Sequence, residues 1–389
     1  MIRKHPLLLS LLLALALALS ACTGSVPSAG WPGLSATDQL AFVAFNQQLH
    51  AVNLSNGREA WAFPAQPSNN VGLLFTPPAL SADLLLVGSE GPTNSFSGAV
   101  YALRPDTGQQ VWCLVFDKKG ADRTGCASAA GADSGGLFAA TSDNRLLGGI
   151  ALARDAAYFG LSNGKVFAVS VETGQVLWSF SAEHAIWAAP VVDDGSVYIA
   201  SLDHHVYALD RAAGTVNWKT DLGAAVAGTP ALIDGTLYVG TFGSRVAALD
   251  AATGQEQWST PTQNWVWGGP TVTGGLVYFS DLSGGVTALE AATGAMKWSV
   301  TPGGVMTASP LVTAQALYIG DRAGKLFALD PATGATLTGW PLEVGGELLG
   351  APLAAGESLL IAPYKGDNLL AAYPLQGGLL TWAFAPTTK

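Results

Sequence analysis

The sequence contains few charged residues, cysteines, methionines and histidines, and each shortage argues against a class of protein. Charged residues make up 12% of the 389-residue chain, about half of their usual share, whereas glycine and aliphatic residues are abundant. A disordered chain would show the opposite balance, and this one fits buried strands joined by tight turns. With five histidines and three cysteines, a histidine-rich or cysteine-rich metal site is not expected.

Basic residues are scarcer than acidic ones. Eighteen lysines and arginines face 28 acids, for a net charge of −10. Removal of residues 1–21 takes away Arg3 and Lys4 but no acid, and lowers the net charge to −12. Such a chain lacks the electrostatic signature of a nucleic-acid-binding protein. Anionic lipid would also repel it unless something else holds it at a membrane.

The N-terminus has the features of an export signal. A basic triplet at 3–5 precedes a run of leucine and alanine at 7–19. The run is short for a transmembrane helix and has the proportions of a signal-peptide core, so we predict a signal peptide over 1–21.

The signal ends in Leu-Ser-Ala-Cys at 19–22, which resembles a bacterial lipobox. The resemblance implies that Cys22 is acylated and anchors the mature protein in a membrane. The alternative is ordinary secretion with cleavage after Ala21, which would leave Cys22 as a thiol. Residues 22–33, which include Trp31, are mostly small and contain proline and glycine, so we predict a tether.

One phrase, Ala-Leu-Asp-x-x-Thr-Gly-x-x-x-Trp in its best copies, occurs eight times. Four of its tryptophans follow one another at a constant interval: Trp178, Trp218, Trp258 and Trp298. A period of about 40 residues built from short strands is typical of a β-propeller. The eight copies lie at 51–61, 102–112, 168–178, 208–218, 248–258, 288–298, 328–340 and 372–382. We therefore predict an all-β fold, an eight-bladed β-propeller of four-stranded antiparallel blades, over residues 34–385.

Each copy divides into short apolar runs separated by glycine- and aspartate-containing turns. In the copy that begins near Pro190, the predicted strands are 191–192, 197–200, 206–209 and 216–218, and no window remains for a helix. The tryptophan that ends each phrase is expected to fill the gap between neighbouring blades. The glycine at a fixed step after the first alanine suits a turn with positive φ, and it occurs at Gly57, Gly108, Gly174, Gly214, Gly254, Gly294, Gly334 and Gly378.

Two features interrupt the repeat. An insertion loop is predicted at 113–150, and it contains Cys113 and Cys126. In an exported chain these two cysteines are candidates for a disulfide bond, with metal binding as the alternative. The sequence leaves two ways for the ring to close: either whole blades abut, or residues 26–33 add a strand to the last blade.

The repeated phrase resembles the tryptophan-docking motif of the quinoprotein (PQQ-dependent) alcohol dehydrogenase superfamily, whose members are eight-bladed propellers. The resemblance covers residues 34–385. Its enzymes bind PQQ over a calcium ion and commonly carry a pair of adjacent cysteines, which this chain lacks. The acids at Asp117, Asp122 and Asp133 also lack the alternate spacing of a calcium loop. No cofactor is therefore expected, and PQQ with calcium belongs to the alternative interpretation.

A second branch of the same superfamily consists of the BamB-type lipoproteins of outer-membrane assembly. The chain is similar to them in mature length, lipobox, linker and number of blades, and in the lack of a redox constellation. The resemblance implies a non-enzymatic envelope lipoprotein, anchored at the periplasmic face of the outer membrane. Its partner would be the barrel-inserting outer-membrane channel protein or another envelope protein. The alternative is a propeller that binds PQQ or another small molecule, as a short dehydrogenase or a sensor.

Several tryptophans lie outside the repeated phrase. Trp187 and Trp267 occupy equivalent places, each three residues before a proline that opens an inner strand. We predict that they lie at the mouth of the central channel, where they either plug it or bind a partner or ligand. The candidate binding residues are Trp187, Trp265, Trp267, Glu183, His184 and Asn264. The paired His204 and His205 are interpreted as part of a solvated turn.

Overall fold

The computed structural model describes residues 31–90, 98–117, 120–122 and 144–386. These residues form 33 strands in eight antiparallel sheets, and they contain no helix. In every sheet the strand order follows the chain, so each sheet is one blade. The prediction of an all-β, eight-bladed propeller is confirmed. The described residues accordingly include no helix with the length and apolar character needed to cross a bilayer.

The first four blades take the strands in chain order. Blade 1 contains β1 (Gly33–Ala36), β2 (Leu40–Phe45), β3 (Gln48–Asn53) and β4 (Glu59–Phe63). Blade 2 contains β5 (Ala79–Leu80), β6 (Leu85–Ser89), β7 (Gly98–Leu103), β8 (Gln110–Asp117) and β9 (Gly120–Asp122). Blade 3 contains β10 (Ala151–Ala153), β11 (Ala156–Gly160), β12 (Lys165–Ser170) and β13 (Val176–Ser181). Blade 4 contains β14 (Val191–Val192), β15 (Ser196–Ala200), β16 (His205–Asp210) and β17 (Val216–Asp221).

The last four blades continue the pattern. Blade 5 contains β18 (Ala231–Ile233), β19 (Thr236–Thr241), β20 (Arg245–Asp250) and β21 (Glu256–Pro261). Blade 6 contains β22 (Thr271–Thr273), β23 (Leu276–Ser280), β24 (Val286–Glu290) and β25 (Met296–Val300). Blade 7 contains β26 (Leu311–Val312), β27 (Leu317–Gly320), β28 (Lys325–Leu329) and β29 (Leu342–Glu343). Blade 8 contains β30 (Leu353–Ala355), β31 (Ser358–Ile361), β32 (Leu370–Pro374) and β33 (Trp382–Phe384).

The core lies between the blades. The second and third strands of a blade are almost wholly buried, as β15 and β16 show, because both of their faces pack against neighbouring blades. The outer strand β17 alternates between exposed and half-buried residues, because one of its faces is in water. Continuous apolar runs in the middle strands and alternation in the outer strand are the patterns that these two environments impose.

The repeated phrase forms the third strand, a turn and the fourth strand. Its first alanine pairs directly with its tryptophan, as Ala208 does with Trp218, and the register shifts by a bulge immediately afterwards. The same pairing and bulge occur at Trp61, Trp112, Trp178, Trp258 and Trp298. A small residue opposite each indole leaves room for the ring to reach the next blade.

All but one of the indoles are fixed to the next blade by a hydrogen bond and a close contact. Seven of the eight tryptophans donate from Nε1 to a turn carbonyl of that blade at 2.7 to 3.1 Å, from Trp61, Trp112, Trp178, Trp218, Trp258, Trp298 and Trp382. The repeated glycine of that turn lies under the ring: at Gly254, which has φ +72°, an added Cβ would come within 2.6 Å of Trp218. The expected role of these tryptophans as plates between blades is thus explained by contact and by turn geometry.

The ring closes by the same contact. Trp382 of blade 8 donates to the carbonyl of Leu54 in blade 1 at 2.7 Å, and its ring covers Gly57. Strand β1 pairs with β2 of its own blade, and β33 pairs with β32. Whole blades therefore abut at this junction. Of the residues in the alternative, 26–33, Gly33 belongs to β1 and those before Trp31 lie outside the described ranges. The first strand begins at Gly33, one residue before the predicted start of the propeller.

Blade 2 departs from the predicted four strands because the insertion adds a fifth. Strand β8 runs through Cys113 to Asp117, and β9 pairs with it in antiparallel register. The predicted loop at 113–150 is therefore wrong at its start, where the chain extends the sheet. Asn144 and the residues that follow lead into blade 3, with the side chain of Leu146 buried. Residues 123–143 lie outside the described ranges.

The junction between blades 7 and 8 is irregular. The phrase at 328–340 is two residues longer than the others, yet the ring of Trp340 lies 5.6 Å from that of Tyr318, as the equivalent pairs do elsewhere. Its Nε1 has no hydrogen-bond partner among the described residues, whereas Tyr318 donates to the Leu375 carbonyl at 2.5 Å. Gly378 has the expected positive φ, at +122°, but the glycine that approaches Trp340 is its neighbour Gly377, and an added Cβ at Gly378 would meet no atom within 4 Å.

Candidate functional site

One face of the ring carries the candidate site. It is formed by the segments that enter each blade and by the turns between second and third strands, and we call it the entry face. Backbone hydrogen bonds join the two, from Leu202 to Ala185, from Phe242 to Ala225 and from Leu282 to Trp265. The predicted site residues at 183–187 and 264–267 lie on entering segments, and their position at the channel mouth and their role in binding stay predictions.

Four aromatic rings meet on the entry face and form what we call the aromatic platform: Trp187, Phe242, Trp265 and Trp267. The ring of Trp187 lies 6.1 Å from that of Trp267. Phe242 packs against both Trp265, stacked at 5.0 Å, and Trp267, tilted at 5.1 Å. The rings therefore form one continuous chain that spans the entering segments of blades 4 and 6 and a turn of blade 5.

The repeat itself explains why these rings project outward. Each entering segment buries one apolar residue, such as Ile186, Val226 or Val266, and all three are fully buried. The residue that follows is Trp187 in blade 4, Ala227 in blade 5 and Trp267 in blade 6. The small side chain in the middle position leaves the two indoles free to approach each other.

The platform presents apolar surface to solvent. Trp265 is 46% exposed and Trp187 is 36% exposed, although large aromatic side chains are ordinarily well covered. None of the three platform indoles has a hydrogen-bond partner for its N–H among the described residues. A planar ligand inserted between Trp187 and Trp267 would need about 7 Å, two contact distances, and the ring centroids are 6.1 Å apart. The rings offer outer faces instead of a slot.

The three predicted polar residues take different positions around the platform. Glu183 is exposed and lies 3.8 Å from the ammonium group of Lys219. His184 is also exposed, and its backbone carbonyl accepts a hydrogen bond from Ser201. Asn264 is half-buried and uses its side-chain oxygen to accept the Trp265 amide at 2.8 Å. Asn264 thus orients the backbone at Trp265, and the other two side chains face solvent.

A chain-wide comparison with sequence families identifies the group to which the protein belongs. The family model described as outer membrane protein assembly factor BamB matches three overlapping stretches, residues 23–125, 97–225 and 202–383. Together they cover most of the chain. The chain belongs to the BamB family.

Solved structures agree on the fold. BamB from Moraxella catarrhalis is 17% identical with a TM-score of 0.66, over 86% of this chain and 91% of that one. The computationally designed Ika8 protein is 14% identical with a TM-score of 0.71, over 89% and 96%. The quinohemoprotein alcohol dehydrogenase from Comamonas testosteroni is 13% identical with a TM-score of 0.67, over 92% and 75%. At these identities the likeness shows the fold alone. No curated protein matches the sequence.

The structure of this BamB-family chain places its buried carboxylates in turns of the entry face. Asp203, Asp281 and Asp321 each accept hydrogen bonds from amides of their own turn. In the ranges that the structure describes, no three histidine, cysteine or acidic side chains come together in a way that could hold a metal ion.

Asp203 ties the turn of blade 4 to the entering segment. It accepts hydrogen bonds from the Tyr207 hydroxyl at 2.7 Å and from the amides of Glu183 and His205 at 3.0 Å. Burial acts to raise the pKa of Asp203, but these hydrogen bonds outweigh it and hold the pKa below its usual range. His204 is exposed, but the turn that contains it is not solvated as predicted, because Ser201 and Asp203 are buried. His205 is half-buried against Asp203 and begins β16.

Sequence reasoning missed Phe242, the ring that joins Trp265 to Trp267 in this BamB-family structure. It lies in a hairpin turn of blade 5, well before Trp265 in the sequence. Alignment of the repeats shows Leu202 and Leu282 at the same place, so an aromatic residue there was the available signal.

Three predicted sites concern residues that the structure does not describe. Cys22 and the tether before Trp31 lie outside the described residues, as does Cys126. Cys113 is buried in β8, and its disulfide bond with Cys126 stays a prediction.

Proposed function

We propose that this protein is a non-enzymatic lipoprotein of the cell envelope whose propeller acts as a protein-binding scaffold in outer-membrane β-barrel assembly. The aromatic platform is the observation that carries the proposal. Exposed, clustered aromatic rings on a rigid ring of blades are the usual anchors of a protein interface. The family description, outer membrane protein assembly factor BamB, supports the assembly role.

The partner in this proposal is the barrel-inserting outer-membrane channel protein, or another envelope protein of the same assembly. Acylated Cys22 would hold the protein at the periplasmic face of the outer membrane, with the predicted tether, 22–33, leading to the propeller. Anchoring by acyl chains fits the acidic charge of the mature chain, because that charge would otherwise oppose attachment to anionic lipid.

Affinity capture from envelope extracts tests the proposal. The tagged full-length protein should retain the barrel-inserting channel, and the double variant Trp187→Ala/Trp265→Ala should retain at least tenfold less, since two interface anchors are lost. Met296→Ala is the matched control, because Met296 is 60% exposed on the outer strand β25. Failure of the wild-type protein to retain the channel would refute the proposed partner.

We also propose that the propeller works without PQQ. The carboxylates of Asp203, Asp281 and Asp321 are committed to hydrogen bonds within their turns, which supports this view. Adding PQQ and Ca²⁺ to the purified protein should produce neither a protein-bound chromophore nor a rise in melting temperature. A saturable rise in both would favour the alternative, a small-molecule-binding propeller.

A further inference from the structure

We propose that the aromatic platform binds an arginine or lysine side chain presented on an extended segment of a protein partner. This inference rests on the proposed scaffold function and specifies the chemistry that the partner must offer. It follows from three observations: open ring faces on the entry face, basic side chains that already have partners, and the negative net charge of the chain.

The platform offers electron-rich ring faces to solvent. Trp187 and Trp265 are the two most exposed members of the platform, and part of each ring faces solvent. Indole is the aromatic group that attracts cations most strongly, and the attraction increases when a partner excludes water. Neither of the two cation–ring contacts among the described residues involves the platform, since both lie on tyrosines.

Two basic residues near the platform have other partners: Arg245, the nearest along the chain, and Lys219, which reaches Glu183 of the entering segment. Lys219 lies 3.8 Å from Glu183 and 5.8 Å from the centre of the Tyr207 ring. Arg245, three residues after Phe242, bonds both carboxylate oxygens of Glu256 at 3.0 and 3.1 Å. It also donates to the Leu222 carbonyl. These two basic residues are therefore engaged away from the platform rings.

The charge of the molecule favours a basic partner over an acidic one. The full chain carries a net charge of −10, whereas Glu183, four residues before Trp187, is balanced by its ion pair with Lys219. A negative surface raises the encounter rate of basic segments and opposes anionic lipid. These charges lead us to a basic protein segment, in preference to a membrane surface, as the occupant.

The neighbouring blade offers a second exposed apolar side chain to an extended segment. Val305 occupies in blade 7 the place that Trp265 occupies in blade 6, and it is 40% exposed. Val305 is thus a second exposed apolar side chain on the entry face, beside Arg322, which is paired with Glu347. A segment with a basic residue over the rings and an apolar residue toward Val305 would cover both.

Peptide binding to the full-length protein tests the inference. The probes are a short peptide that alternates arginine with valine and the same peptide with citrulline, a neutral isostere, in place of arginine. The arginine peptide should bind the wild-type protein about threefold to tenfold more tightly than the citrulline peptide. In Trp265→Leu, which keeps apolar area but lacks a ring, the preference should disappear. Leu177→Ala, in the exposed part of β13, is the control and should keep it.

Three outcomes would overturn the inference. Equal affinity of the wild-type protein for both peptides would exclude a role for the cation. An equal loss of both affinities in Trp265→Leu would show that the platform recognises apolar surface alone, as a double-mutant cycle separates the two terms. Platform-dependent binding to phosphatidylglycerol vesicles, with no preference for the arginine peptide, would assign the surface to a membrane.

The peptide result and the capture result can be told apart. If the barrel-inserting channel is not retained but the arginine preference is present and lost in Trp265→Leu, the platform chemistry stands and the assembly partner is wrong. If the channel is retained through Trp187 and Trp265 without any arginine preference, the scaffold function stands and the cation-binding inference is wrong.

Discussion

Tryptophan has two different roles in two regions of this molecule, between the blades and on the entry face. Between blades, Trp298 is 9% exposed, donates to the Pro331 carbonyl at 3.0 Å and covers a glycine of the next turn. On the entry face, Trp265 is 46% exposed, and its indole N–H has no partner within the described part of the chain. A tryptophan in this fold is therefore structural when a turn of the next blade accepts a hydrogen bond from its N–H and packs against its ring.

The largest effect is expected at a blade junction. Trp298→Ala removes a buried indole, its hydrogen bond to Pro331 and its contact with Tyr278, so the free energy of unfolding should fall by about 3–5 kcal/mol. Urea unfolding followed by far-ultraviolet circular dichroism measures it. A loss below about 1 kcal/mol, the size of a typical surface or minor substitution, would contradict the structural role assigned to this group of tryptophans.

Replacing the glycine beneath the Trp218 ring should lower the free energy of unfolding by less than Trp298→Ala does, and the same blade offers a matched control. Gly254→Ala places a Cβ within 2.6 Å of Trp218 at φ +72°, and should cost about 2 kcal/mol or more, because strain and overlap add. Gly235→Ala has φ +74° in the same blade but no atom within 4 Å of the added Cβ, so its cost should be that of strain alone. Equal losses in the two variants would show that the contact with Trp218 contributes nothing.

The carboxylate under the entry face should give a pH-dependent effect. Asp203→Asn replaces an acceptor oxygen with a donor and should lower the free energy of unfolding by about 1–3 kcal/mol at pH 7. Because the folded-state pKa of Asp203 is lowered, its carboxylate stabilises the protein above the ordinary value of about 4, and this contribution disappears as the pH falls further. The difference between the two proteins should therefore narrow below about pH 4, and a constant difference would contradict the account.

Removing a tyrosine hydroxyl should lower the free energy of unfolding more at the irregular junction of blades 7 and 8 than at the regular junction of blades 6 and 7. At blade 7, Tyr318 donates to the Leu375 carbonyl, and Trp340 makes no such bond within the described residues. At blade 6, the Pro331 carbonyl accepts from both Tyr278 and Trp298. Tyr318→Phe should therefore cost about 1 kcal/mol, and Tyr278→Phe less, because the acceptor keeps a partner. The reverse order in urea unfolding would show that Trp340 compensates.

Much of the fold can be predicted from the sequence because local spacing determines it. A tryptophan at a regular interval and a glycine at a fixed step after each alanine reflect contacts that every blade repeats, so the number of blades and the strand positions follow. The fifth strand of blade 2 could not be predicted, since Gly120–Asp122 pairs through its backbone and shows no apolar alternation. Which glycine of blade 8 lies against Trp340 could not be predicted either, because Gly377 and Gly378 are adjacent and the strand register decides between them.

The candidate site was predictable in part. Trp187, Trp265 and Trp267 were recognised because they interrupt the repeat, and equivalent positions in the blades place them on one face. The contact between Trp187 and Trp267, which lie in entering segments two blades apart, depends on how blades 4, 5 and 6 are arranged and on the small side chain of Ala227. Phe242 joins the platform from a turn, so its role follows from the order of the blades and not from any local pattern.

The smallest effect on stability is expected at the platform, and it tests the central claim most directly. The free energy of unfolding of Trp187→Ala/Trp265→Ala should fall by less than about 1 kcal/mol in urea, because exposed side chains contribute little. The same variant should lose capture of the envelope partner. The account predicts a stable protein that no longer binds. A platform variant that unfolds as readily as Trp298→Ala, or one that is stable and still binds its partner, would contradict the division between structural and binding tryptophans.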